Sequence, residues 1–338
     1  MPLKFLVSIL LLARLFYPIE TAGAQEFTFY FNTAPEGAQL NPSRAPATLT
    51  LTVKAPDGQV PAAGWIVVRL DAPPPGRFLS TDFPAVEGSR LLEMRLPVIH
   101  GKAEWRQILP IRGDYRLAAQ FVDAAGAKAE QVFSFRVYEN NQKWLFLGAF
   151  ALGLFVTGVI AGRIFSGPRG RETAKLGVWP LLFLTYFVAT GESAWAQDDQ
   201  KRKYFSKIEV ASPTVGAPAR IHWWLHPAGI EGKPSARLTL RITHVEKNLL
   251  VFSAEKILVA GEFSLDYQFT DGSDHRITAI ADIDDGETIR QEQLVSITAV
   301  APPWRAQLPA LALFLFLIFL GLWTGRWSRR ASVGRKVS

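Results

Sequence analysis

From about Gln25 to Gln142, apolar and polar residues alternate in short runs, and the same pattern returns from about Asp198 to Pro303. Side chains of a strand point to opposite faces in turn, so a half-buried strand alternates at period two. In Tyr115-Arg-Leu-Ala-Ala-Gln-Phe, positions 115, 117, 119 and 121 form one mostly apolar face. The pattern predicts strands at 27–31, 47–53, 64–70, 90–96, 103–109, 115–122 and 131–138. In the second segment it predicts 205–211, 219–226, 236–243, 249–253, 263–269, 275–282 and 288–300. Pro56-Asp57-Gly58, Pro73-Pro74-Pro75-Gly76 and Asp285-Gly286 supply turn chemistry between them. Neither segment has a helical period.

The two segments also resemble each other. Gly101, Asp114, Arg116, Ala119 and Gly126 match Gly261, Asp274, Arg276, Ala279 and Gly286 without a gap, and Trp144 falls on Trp304 at the same spacing. A repeat this long is a domain with its anchor, not a solenoid unit. Regular short strands separated by turns predict an all-β sandwich in each copy, immunoglobulin-like or cupredoxin-like in outline. The expected fold class is mostly β, with two tandem sandwiches and three membrane-spanning helices.

Long apolar runs set the remaining boundaries. Residues 1–24 carry Lys4, an apolar stretch and Ala22-Gly23-Ala24, the pattern of a secretory signal peptide, leaving Gln25 as the mature N-terminus. Residues 144–164 and 304–325 are each long enough to cross a hydrocarbon core, which takes ~20 residues, and tryptophans sit at their ends. A weaker run, 176–196, ends on Ala194-Trp195-Ala196 like a retained second signal; cleavage after Ala196 is the alternative. The expected order is a first sandwich at 25–142, a span, a basic loop at 165–175, the 176–196 span and a second sandwich at 197–303. The last span and a basic tail at 326–338 follow. The arginines of loop and tail belong on the cytoplasmic side by the positive-inside rule. Both sandwiches then lie outside, which in a bacterial inner membrane is the periplasm.

Charge and cysteine content narrow the function. The formal charge is +7. The signal region carries +1 of it and the segments flanking the spans carry +8, leaving −2 for the rest. The basic balance therefore follows membrane topology, and nucleic acid is not an expected partner. The chain has no cysteine, which removes disulfides, thiolate nucleophiles, cysteine-bound copper or zinc and iron–sulfur clusters. No phosphate loop, dinucleotide fingerprint or catalytic triad order occurs, so no enzyme activity is expected.

Candidate chemistry lies where the copies differ. Four of the five histidines, His222, His226, His244 and His275, are in the second segment. Imidazole suits copper and zinc, so these residues are the candidate metal ligands, copper being the alternative to no cofactor. Two residues four apart in a strand stand ~13 Å apart, so His222 and His226 cannot share one ion in a regular strand. His275 also occupies the position of Tyr115, which points to a core role. In Ile221-His222-Trp223-Trp224-Leu225-His226, Trp224 falls on the face opposite the core, making it the candidate interaction residue.

The order sandwich, span, span, sandwich resembles the B subunit of the particulate methane and ammonia monooxygenases, whose two cupredoxin-like domains face outward. The chain departs from that family at the expected mature N-terminus, Gln25 in place of a copper-ligating histidine, and in its span after the second sandwich. The resemblance implies an accessory role beside a membrane oxidase or copper system. The expected function is a membrane-anchored accessory or scaffolding subunit, with the bilayer and a membrane protein complex as partners. The alternative is a periplasmic metal-handling protein.

Overall fold

The computed structural model describes residues 27–36, 40, 45–61, 63–76, 80–138, 141–165, 203–211, 213–227, 233–301 and 304–334. The first half contains β1 (Thr28–Ala34), β2 (Ala47–Lys54), β3 (Gly64–Asp71), β4 (Arg90–Pro97), β5 (Lys102–Gln107), β6 (Gly113–Asp123) and β7 (Lys128–Val137), followed by helix α1 (Asn141–Phe165). The second contains β8 (Tyr204–Ala211), β9 (Pro218–Pro227), β10 (Ser235–His244), β11 (Leu249–Ala260), β12 (Glu262–Gln268), β13 (Asp274–Ile283) and β14 (Thr288–Ser296), followed by α2 (Trp304–Gly334). Every strand expected from alternation is present. The largest difference is β11, which continues from Ser253 to Ala260. There Glu255 and Lys256 bulge opposite Thr239 and Lys256 takes φ 56°, so the alternation breaks although the strand does not.

Alternation explains the burial. In β2, Ala47, Leu49, Leu51 and Val53 point inward and the intervening threonines outward. In β9, Ala219, Ile221, Trp223 and Leu225 do the same. Matched glycines serve the turns: Gly101 and Gly261, between β4 and β5 and between β11 and β12, take φ 69° and 73°. A Cβ on Gly101 would also come within 2.9 Å of the Val53 carbonyl oxygen.

The strands form two antiparallel sheets of seven, ordered β1-β2-β5-β11-β10-β13-β14 and β7-β6-β3-β4-β12-β9-β8. Within the first half, β1-β2-β5 face β7-β6-β3-β4, the three-on-four arrangement of an immunoglobulin- or fibronectin-like sandwich. The second half repeats it: Val68 opposes Ala119 across β3 and β6, and Leu240 opposes Ala279 across β10 and β13.

Where two separate tandem sandwiches were expected, the halves share both sheets. In one sheet β5 pairs β11, with Gln107 opposite Phe252 and Arg106 opposite Ser253. In the other β4 pairs β12, with Met94, Glu93 and Leu92 opposite Leu265, Asp266 and Tyr267. Each seam joins a fourth strand of one half to a fifth strand of the other, so the halves are related by an approximate twofold. The core runs through both, with Leu92, Met94, Phe252 and Tyr267 buried beneath the seams. Glu93 and Asp266 oppose each other as like charges. Arg69 and Arg90 hold Glu93, and Arg220 holds Asp266 with contacts of 2.8 and 3.1 Å.

Among the described residues, two helical stretches are long and apolar enough to cross a membrane, Trp144–Phe165 and Gln307–Ser328, not the three expected. The expected signal peptide at 1–24 and the span at 176–196 lie outside the described residues. The two helices are parallel. Phe150 meets Phe314 edge to face at 5.5 Å, Gly158 meets Gly321, and Arg163 Nε donates to Ser328 Oγ at 3.1 Å. Gly158 and Gly162 on α1 face Gly321 and Gly325 on α2. A Cβ on Gly158 would stand 3.0 Å from the Gly321 Cα, and one on Gly321 equally close to the Gly158 Cα. This is small-xxx-small packing, in which missing side chains let two backbones touch.

Candidate functional site

The two halves use one core position differently. Tyr115, near the start of β6, is fully buried and stacks on Phe135 with ring centroids 5.4 Å apart. Its hydroxyl donates to the Ile111 carbonyl at 2.6 Å and accepts from the Ile111 N–H at 3.1 Å, a tyrosine corner. Burial pushes the phenol far above its ordinary value, and the bond to Ile111 offsets this in part. In the second half His275 stands here. It is also buried, and packs edge-on against Phe269 at 4.9 Å.

His275 lies directly opposite His244 in the β10–β13 register, with ring centroids 5.1 Å apart. His275 Nδ1 donates to the Ser273 carbonyl at 3.1 Å. His244 Nδ1 accepts the Lys247 backbone N–H at 3.3 Å, which leaves its Nε2 proton facing Asp271 Oδ2 and Ser273 Oγ, each at 3.1 Å. Lys247 Nζ also meets Asp271, at 2.9 Å. Burial lowers the pKa of His275, against the opposing effects of the Ser273 carbonyl and Asp271. Burial alone would raise Asp271, but hydrogen bonds from Lys247 and Ser273 outweigh it and hold the carboxyl below its usual range.

His222 and His226 lie on β9 in the other sheet, away from this pair. Two of the four candidate ligands are thus brought together and two are not. Among the described residues, no group of three or more His, Asp or Glu is arranged to hold a metal ion.

Trp224 lies on the outer face of β9, as alternation requires, between Lys207 of β8 and Glu262 of β12. The His222 ring tilts against it at 4.8 Å, and the Lys207 ammonium stands 5.4 Å from its ring centre. Across the seam on the same sheet, Arg95 of β4 lies over the Trp65 ring at 4.6 Å. A groove of about 460 Å³ runs between Trp65 and Arg95 of the first half and His222, Glu262 and Ser264 of the second. Sequence reading singled out Trp224 and missed Trp65 and Arg95. Trp65 was detectable as a large aromatic on the outward face of a strand whose Ile66, Val68 and Leu70 point inward. That it lines one groove with His222 follows only from the seam. At the twofold-related positions, Arg237 stands for Trp65, Thr50 for His222 and Thr52 for Trp224, so the aromatic groove exists on one sheet only.

No family model matches this chain, and no curated protein matches it. Among solved structures, a conjugative transposon lipoprotein from Bacteroides eggerthii aligns at 10% identity over 28% of this chain and 97% of that one, with a TM-score of 0.22. The fibronectin(III)-like modules of Clostridium thermocellum CbhA align at 12% identity over 77% and 88%, with a TM-score of 0.20. Murine CRIg aligns at 11% identity over 29% and 99%, with a TM-score of 0.22. Likeness at this level carries no argument about activity, ligand or partner.

Proposed function

We propose that this chain is a membrane-anchored, extracytoplasmic accessory or scaffolding protein that offers the groove between Trp65 and His222, with Trp224 stacked on the His222 ring beside it, to a partner membrane complex. The observation that carries the reading is the helix pair. α1 and α2 each begin a few residues after the last strand of their half, run parallel and lock through glycines. A bilayer that takes both helices therefore leaves the whole sandwich on one side. A parallel pair also requires the chain between Phe165 and Lys203 to return across the same thickness. That supports a third crossing in 176–196, with the basic loop and tail in the bacterial cytoplasm and the sandwich in the periplasm. The shared register of the halves supports an origin by internal duplication.

The groove suits a protein surface. Its lining sets the Trp65 indole and the Arg95 guanidinium, side chains enriched at interfaces, on the outer face of a sheet, with Glu262 as a polar neighbour. For the histidines, a structural role is supported because both Nδ1 atoms and His244 Nε2 already have protein partners. The metal-handling alternative, with copper as the ion, rests on the His244–His275 juxtaposition.

The absence of cysteine makes the topology testable. In intact spheroplasts, Asp57→Cys and Asp284→Cys should react with a membrane-impermeant maleimide, and Ser338→Cys only after permeabilisation. Labelling of either turn only after permeabilisation would overturn the orientation. For the groove, a photo-crosslinking residue at position 222 should capture one defined membrane-complex subunit in cells, and Trp65→Ala together with Trp224→Ala should abolish the adduct. A capture unchanged by those substitutions would place the partner elsewhere.

A further inference from the structure

A second groove, of about 380 Å³, opens at the α1 end of the first half, walled by Pro73 and Pro74 and carrying Arg112, Asp114, Arg136 and Tyr138. Its depth relative to a bilayer follows from its neighbours. Val137 closes β7, Tyr138 follows, and α1 starts at Asn141. The Arg112 guanidinium lies 5.5 Å from the ring centre of Trp144, the first residue of the membrane-length stretch. Indole rings at span ends settle at the headgroup layer, so the groove opens beside that layer.

Its chemistry selects an anion. The groove lining carries two guanidiniums, Arg112 and Arg136, and one carboxylate, Asp114, which stands 3.7 Å from Arg136 Nε with both side chains mostly exposed. Such an exposed, long pair is weak, so a phosphate can compete with Asp114 for Arg136. The planar guanidinium fork fits a phosphate in bidentate fashion. Half-exposed Tyr138 adds a hydroxyl at the rim, and the prolines form an apolar wall. The second half serves as an internal comparison: Gly272, Ser296 and Thr298 hold the places of Arg112, Arg136 and Tyr138. The same sandwich forms there without those cations, so the framework does not require them.

We propose that this groove binds the phosphodiester headgroup of an anionic phospholipid from the leaflet that Trp144 enters. The proposal rests on the reading of α1 as a membrane span. It predicts that the protein holds one such lipid at the base of its first half, which would also brace the sandwich against the bilayer.

The test uses the full chain in nanodiscs of phosphatidylcholine with or without phosphatidylglycerol, with retained lipids counted by native mass spectrometry after release. The wild type should keep one phosphatidylglycerol. Arg112→Gln with Arg136→Gln should weaken that retention roughly 20-fold, from two lost arginine–headgroup attractions. Asp114→Asn, which removes the competing carboxylate and no cation, should strengthen retention, so the proposal stays testable if the double variant misfolds. Retention unchanged by all three substitutions overturns it. So does displacement of the lipid by millimolar inorganic phosphate, which would mark a free-anion site. Failure of the span reading looks different: alkaline carbonate would then strip the wild type from native membranes whatever their lipids.

Discussion

Tyr115 and His275 fill one position in the two halves with opposite consequences for pH. The tyrosine is neutral throughout the physiological range, and burial pushes its ionisation further away. The histidine has its folded pKa depressed by burial below the ordinary 6.5. The unfolded chain therefore takes up the proton first as pH falls, and stability declines from about pH 6.5 down to the folded value, then levels. Asp271 is also depressed, from an ordinary 3.8, so its contribution is present above that value and is lost as pH falls through its folded pKa. Chemical denaturation measured across this range should show two separate losses. His275→Tyr, which restores the residue of the first half, should remove the upper one and keep the lower. An upper loss that survives the substitution would have to come from another group.

The elements divide into those that stand on local pattern and those that stand on a partner. Strands such as β2 and β9 follow from alternating apolar and β-branched residues, and their turns from glycines at positive φ. The helices are apolar on every side, so nothing in their hydrophobicity says which face meets the other. The glycines decide it, because only there can the backbones touch. Gly321→Leu should force the pair apart, costing about 1–3 kcal/mol of helix association, the usual penalty for overpacking a close contact. With Phe150→Cys and Phe314→Cys introduced at a ring contact, oxidative cross-linking should be efficient in the parent and sharply reduced with Gly321→Leu. Undiminished cross-linking would show that the glycines do not hold the pair. The Gly-x-x-x-Gly spacing in Gly158–Gly162 and Gly321–Gly325 was readable in the chain, although only packing shows that the two motifs meet.

At the scale of the whole molecule, two sandwiches behave as one body because their edges are consumed by each other. An open edge strand invites aggregation. Here β4 and β5 of the first half cover β12 and β11 of the second. The apolar side chains beneath the seams belong to both halves, so unfolding one exposes the other. Denaturant unfolding of the β-sandwich region should therefore give a single transition. Tyr267→Ala, which empties a buried aromatic site under the β4–β12 seam, should cost about 3–5 kcal/mol and lower the stability of both halves together. Tryptophan reporters retained one in each half, at Trp105 and Trp223, would separate into two transitions if the seam were weak.

The amino-acid sequence by itself determined the strands, the repeat and the apolar lengths of the helices. Each depends on neighbours in the chain: side-chain alternation, the backbone freedom of glycine and the thickness of a bilayer. Tertiary structure decided the rest. The seams form through backbone hydrogen bonds that any residue can make, so no side-chain signature announced them. Those seams set Trp65 and Arg95 of one half beside His222 and Glu262 of the other. The β10–β13 register set His244 against His275, while the pairing of β9 with β8 and β12 put His222 and His226 in the opposite sheet. Which residues share a site is a question of pairing across the chain, and that is settled only when the edges meet.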